Sequence, residues 1–383
     1  MKLKTAPKAV GRPKALGAAT TADNNMVRDV GKARVAKALP AQGLSNSVCK
    51  SLLPGLFDPP LTADTRTVLY LFAGPSREND LAHHLRAKGL QSGVVIRVVE
   101  VDVCRDVKHD LLREDLRLVI LSSIEGCLID FLVLSPPCAS WSRSLFNRMV
   151  KGPLPLPSRT HPWGFPWLTG VRKAKLMRAN SLTKFAIKVM TAACEAGIGV
   201  MLEHPEDLGR YYTGACPASI WQLPELKALT SRFKATRKSF HQHPYGAASP
   251  KPSGLWTTMA THADFGVEGW PQFDDNGCYT GPLARIAARA MPMGPDTTAA
   301  SAKYPDKLCL KLATMIVEHL VSPRDAPTSG GRGLAYRAIA EVAWGLVVSE
   351  VLAWKNHERS KCRQHAWSKH ERSMEPLLAL ARR

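Results

Sequence analysis

The 383-residue sequence is short of acids: 32 Asp and Glu face 52 Lys and Arg, giving a formal charge of +20 and a pI near 9.8. That deficit disfavours a cationic partner and favours a polyanion, nucleic acid ahead of an anionic membrane surface. Long apolar runs are also missing. No stretch is long enough to cross a bilayer and no apolar signal core follows Met1, so a soluble intracellular protein is expected, without a membrane partner. Nine cysteines occur without one Cys-x-x-Cys pair, which argues against a zinc ribbon, a redox motif or a secreted disulfide framework. Aromatic residues make up only 7% of the chain, but 45% hydrophobic content suffices for one sizeable core plus extensions.

Residues 1–60 are rich in Ala, Lys, Gly and Pro and are expected to be a basic disordered arm. Their shortage of acids is shared with organelle transit peptides, so organelle targeting stays open. From Thr67 the pattern changes. TVLYLF predicts a strand, AGPSREND a turn and DLAHHLRAKG a helix, followed by the strand VVIRVVEVD, a helix over 115–126 and the buried strand IDFLVL. A long basic helix over 172–196 then leads into the strand IGVMLEHP. Strands alternating with helices predict an α/β fold with a Rossmann-like, doubly wound parallel sheet. Residues 206–300 read as a loop-rich variable region, AASAKYPDKLCLKLATMIVEHL (299–320) as the closing helix of a 61–322 domain, and 323–383 as a basic helical extension. The cluster His357, Cys362, His365 and His370 belongs to that extension and contains one cysteine among many Lys and Arg, so no metal site is expected there.

In doubly wound sheets ligands gather at the carboxyl ends of the strands. Four predicted strand ends carry suggestive residues. Phe72 and Gly74 in LFAGPSREND end the first, where a small residue lets the backbone approach a ligand. Glu100 and Asp102 lie two apart at the second and suit a ribose diol; Asp110 is a further acid within reach of an adenine amine. At the third, SPPCASWS places Pro136 and Pro137 before Cys138. The prolines stiffen the loop and hold the thiol, the most nucleophilic of the common side chains, in a fixed pose. A buried structural cysteine is the competing reading. At the fourth, MLEHPEDLG places Glu203, where a buried carboxyl group can stay protonated and donate to a substrate nitrogen.

The ordered set LFAG, VEVD, SPPC and LEHP, followed by HPYGAASPKPSGLWT, resembles the cytosine-5 DNA methyltransferase family, especially its phage and retroelement branch, over roughly residues 65–320. The resemblance implies a class I methyltransferase fold with S-adenosylmethionine as cofactor. Cys138 would be the nucleophile that adds to carbon 6 of cytosine, and Glu203 the group on ring nitrogen 3. Phe72, Gly74 and Pro136 would line the cofactor pocket, with Glu100 or Asp102 on the ribose. Because the reacting carbons lie inside a base stack, the base must be extruded or unpaired, and Trp141 would support it by stacking. Arg172, Lys173 and Lys175 on the long helix, with Arg237, Lys238 and Lys251 further on, would contact the nucleic acid. DNA is favoured over RNA, a nuclear location follows for a eukaryotic host, and a monomer is expected.

Several positions depart from the family pattern. Pro75, Ser76 and Arg77 replace a glycine-rich turn, His204 stands where the family has Asn, and Arg237 with Lys238 stand where it has an Arg-x-Arg motif. Two other readings remain open at this level: an exocyclic-amine methyltransferase, and a decayed methyltransferase fold kept as a nucleic-acid-binding module of a mobile element.

Overall fold

The computed structural model of the protein describes residues 44–62, 64–146, 153–210, 215–284 and 303–322. A seven-stranded sheet lies between two layers of helices. In chain order the main elements are α1 (Asn46–Leu52), β1 (Thr65–Leu71), α2 (Leu81–Gln91), β2 (Val95–Val101), α3 (Glu114–Glu125), β3 (Phe131–Leu134), α4 (Gly170–Glu195) and β4 (Gly199–Pro205). They are followed by α5 (Pro224–Phe233), β5 (Thr236–His241), β6 (Pro252–Thr257), β7 (Val267–Glu268), the small β8 (Gln272–Phe273) and β9 (Tyr279–Gly281) pair, and α6 (Asp306–Val321).

The sheet order is β2-β1-β3-β4-β6-β5-β7. Strands β2, β1, β3 and β4 are mutually parallel, which accords with their near-continuous apolar sequences: a parallel strand covered by helices on both faces must be apolar throughout. The fold is therefore α/β and Rossmann-like. It departs from an all-parallel sheet at β6, which runs antiparallel to both neighbours, β4 and β5. The region 206–300 is thus more than loops, since it supplies these strands and α5. TRKSFH and PSGLWT are short and rich in polar residues, Pro or Gly, so their pairing is set by long-range contacts that no local pattern announces.

Side chains alternate between two cores. Leu69, Leu71, Leu132, Leu134, Val200 and Leu202 face one, with α1, α3, α4 and α5 packed over them. Val68, Tyr70, Val133, Met201 and Leu255 face the other, under α2 and α6. The expected arm over 1–60 needs correction at its end. Ser45 caps α1 by accepting from Val48 N–H, and Cys49, Leu52 and Leu53 are buried in the first core. The remainder of that arm up to residue 43, and the extension 323–383 with its His/Cys cluster, lie outside the described residues. Among the described residues no helix is long and apolar enough to cross a membrane.

Candidate active site

The turn after β1 requires unusual backbone. Phe72 and Gly74 adopt φ values of 61° and 71°, the second being a conformation that glycine takes without steric penalty. A side chain at Gly74 would meet nothing within 4 Å, so space is open beside it. Asp102, just past β2, accepts from the N–H of Gly74 at 2.9 Å and from that of Cys104 at 2.8 Å. Arg105 returns to the Gly74 carbonyl at 2.7 Å. Asp102 is thereby a clamp on the β1 turn, and its carboxylate is already spent on backbone donors.

Glu100 behaves differently. Arg86 donates to its Oε2 at 3.2 Å, and Arg105 lies 2.8 Å from its Oε1. That second contact is an ion pair out of line for a hydrogen bond, and buried Oε1 keeps no hydrogen-bond donor. Burial pushes its carboxyl pKa up, against the pull of the Arg105 charge. Both carboxylate oxygens of Glu100 are thus held by arginines of this chain. Asp110 is a local cap: it accepts from Leu112 N–H at 3.0 Å and sits 3.9 Å from Arg178.

The β3 and β4 ends meet over a chain of hydroxyls. Tyr304, immediately before α6, donates to Oε2 of Glu203 at 2.9 Å and lies 2.6 Å from Ser135 Oγ, which is 3.5 Å from Tyr70 Oη. Gln242 approaches Oε1 of Glu203 at 3.4 Å and donates to Ser253 at 2.9 Å. Glu203 is 7% exposed and held on both oxygens. Sequence reasoning missed Ser135, Gln242 and Tyr304. The only local signal is a lone tyrosine before Pro305 at the helix start, which carries no chemistry by itself.

Cys138 lies in the stiff loop after β3, where buried Pro136 precedes it and Trp141 N–H closes a turn onto its carbonyl at 2.9 Å. Burial raises its thiol pKa, the nearby Glu203 charge raises it further, and Lys251 pulls it down. The structure therefore brings Cys138, Glu203 and Lys251 within electrostatic reach of one another. Lys251 also sits 5.7 Å from the Tyr304 ring and adopts φ 36°, a strained backbone of the kind found at functional sites.

Other expected contacts fall elsewhere. Trp141 is 5% exposed and meets Trp163 edge to face at 5.8 Å, so it is a core residue and offers no free face to a base. Arg237 is 2% exposed, pairs with Glu206 at 2.5 Å and lies over the ring of Trp221 at 4.4 Å. It is a buried structural cation, unavailable to phosphates. Lys238 faces Glu268 at 3.5 Å, whereas Arg172, Lys173 and Lys175 are exposed on the first turns of α4. His204 is buried; burial lowers its pKa to about 3 against an opposing contact with the Pro205 backbone, so the ring is neutral. Two hollows of about 350 and 440 Å³ lie beside α3, one under α1 and one under α4, and include none of the strand-end residues. Among the described residues no cluster of His, Cys, Asp and Glu is arranged to hold a metal ion.

In comparisons with known proteins, no family model and no curated protein matches this chain.

Proposed function

We propose that this protein transfers a methyl group from S-adenosylmethionine to carbon 5 of cytosine in nucleic acid, DNA more than RNA, through a covalent adduct on Cys138. The observation that carries the reading is the placement of a preorganised thiol and a buried carboxyl group at the ends of adjacent parallel strands, within electrostatic reach.

The cofactor would sit at the β1–β2 end: Phe72 and the open space at Gly74 would accept its adenosine and methionine parts, and Glu100 would reach a ribose hydroxyl by exchanging its contact with Arg105 or Arg86. When bound, it supplies an electrophilic methyl group on a sulfonium. Among the expected cofactor ligands, Asp102 and Asp110 act on this chain's own backbone instead.

The chemistry of the chain follows from its charges. Deprotonated Cys138 Sγ forms a bond to carbon 6, and the electron pair of the 5,6 double bond moves to carbon 5 while Glu203 hydrogen-bonds or protonates nitrogen 3. Carbon 5 takes the methyl group as the bond from the methyl carbon to the sulfonium sulfur breaks and its electron pair stays on sulfur, so that S-adenosylhomocysteine would leave. Solvent water takes the carbon 5 proton, the C–H electron pair re-forms the 5,6 double bond, and the S–C6 bond breaks with its pair returning to Cys138 as thiolate while nitrogen 3 gives any proton it received back to Glu203. Lys251 favours the thiolate, and the Glu203 charge opposes it. A proton shared between Glu203 and ring nitrogen 3 offsets that opposition, which couples base binding to thiol activation.

Product analysis tests the assignment. Digestion of a treated oligonucleotide should yield 5-methylcytosine; methylated exocyclic amines, or full activity in Cys138→Ala, would exclude it. A second reading, a nucleic-acid-binding module without catalysis, is favoured by one observation: Asp102 already occupies the Gly74 N–H. Salt-sensitive oligonucleotide binding without measurable S-adenosylmethionine binding would establish that reading instead.

A further inference from the structure

Between Asp130 and Glu195 the sequence contains ten Lys and Arg and no acid, although 32 acids occur along the whole chain. This one-signed segment includes the Cys138 loop and the start of α4. Residues 153–169 within it have a small core of their own, in which Leu156 and Leu168 pack with Leu176 of α4 and Phe165 lies against them. Ser158 and His161 pair across a tight turn at its base. The segment is thus a braced platform rather than a trailing loop.

Trp167 stands on that platform. Its ring stacks on Phe165 at 4.7 Å and 13°, His161 meets it edge-on at 5.9 Å, and the residue is 66% exposed. Phe165 covers one face and fixes the ring plane, which leaves the outer face for one more planar group. Three residues further on α4 begins at Gly170, and Val171, 86% exposed, is followed by exposed Arg172, Lys173 and Lys175. A large exposed aromatic ring beside cations that have no acidic partner among the described residues is an unfavourable solvent surface and a favourable one for single-stranded nucleic acid, whose bases stack on aromatic side chains while phosphates meet cations.

We propose that Trp167, braced by Phe165, is a stacking shelf for one unpaired nucleobase, with the adjoining phosphates held by Arg172, Lys173 and Lys175. The shelf rests on the reading that the chain acts on nucleic acid, and is independent of the chemistry at Cys138. It extends the substrate contact beyond the reacting base to a neighbouring unpaired nucleotide, so single-stranded or locally opened substrates bind better than closed duplex.

The test is titration of single-stranded oligonucleotides against the full chain over a range of salt. Trp167→Ala should weaken binding by about 5- to 100-fold with an unchanged salt slope, while Trp167→Phe, which keeps a ring, recovers most of it. Replacing Arg172, Lys173 and Lys175 together by Gln should instead flatten the log–log salt slope by about 2. An unchanged thermal midpoint in Trp167→Ala shows that the loss is not unfolding. The proposal is overturned if Trp167→Ala binds like the parent protein, if the parent binds no oligonucleotide, or if the substitution affects only binding to phosphatidylserine vesicles. If Cys138 forms no adduct with cytosine while the Trp167 dependence holds, the methyltransferase reading falls and the shelf stands; the reverse pattern removes the shelf alone.

Discussion

Tyr304 donates its phenolic hydrogen to Glu203 at 2.9 Å, although 101 residues separate them. The bond joins the segment leading into α6 to the end of β4 and fixes the carboxyl group on which the proposed chemistry depends. Burial and the Glu203 charge hold the Tyr304 pKa well above its ordinary value, so the phenol remains a donor at any working pH.

Tyr304→Phe removes that donor and leaves Oε2 of a buried carboxylate without it. A loss of about 1–3 kcal/mol in unfolding free energy is expected, measured by urea denaturation. The transfer rate should fall more than substrate affinity does, because positioning of Glu203 matters most in the transition state.

Cys138 should report its neighbours through its own titration. Glu203→Gln removes a charge that raises the thiol pKa, and Lys251→Met removes one that lowers it. The pH at which iodoacetamide labelling of Cys138 reaches half its maximal rate should therefore move down in the first variant and up in the second. Equal or reversed shifts would contradict the geometry.

Arg237→Met leaves Glu206 buried without its cation. Loss of one partner from a buried pair costs about 3–5 kcal/mol, and adding Glu206→Gln should recover a large part of it in equilibrium unfolding. Because the guanidinium is buried, the salt slope of oligonucleotide binding should not change in a folded Arg237→Met protein.

His204 supplies a pH dependence of stability. Its folded pKa is lowered to about 3 by burial, so the unfolded chain binds its proton more readily. Its contribution is complete above the unfolded value near 6.5 and is lost as pH falls towards 3, by roughly 1 kcal/mol per pH unit. Unfolding free energies measured from pH 7 to pH 4 should fall less steeply in His204→Asn.

The parallel half of the sheet was legible because each of its strands is a compact apolar run ending in a polar turn, and Cys138 and Glu203 were legible as the residues at those ends. The partners that give them meaning were not. Tyr304 and Gln242 reach Glu203 only through tertiary packing. Trp141 has the same local sequence whether it stacks on a base or on Trp163. Arg237 read as a phosphate contact because its neighbours are basic, and only its position opposite Glu206 and Trp221 shows where its charge is spent. Trp167 lay in a Pro-rich stretch without periodicity, and its significance comes from Phe165 beneath it.

The central claim is a covalent bond between Cys138 and a cytosine ring. Incubation with oligonucleotides containing 5-fluorocytosine and S-adenosylmethionine should trap that bond as a denaturation-resistant complex in the parent protein, with the adduct mapped to Cys138 by mass spectrometry and absent in Cys138→Ala. No adduct on either DNA or RNA, or an adduct that persists in Cys138→Ala, would contradict it.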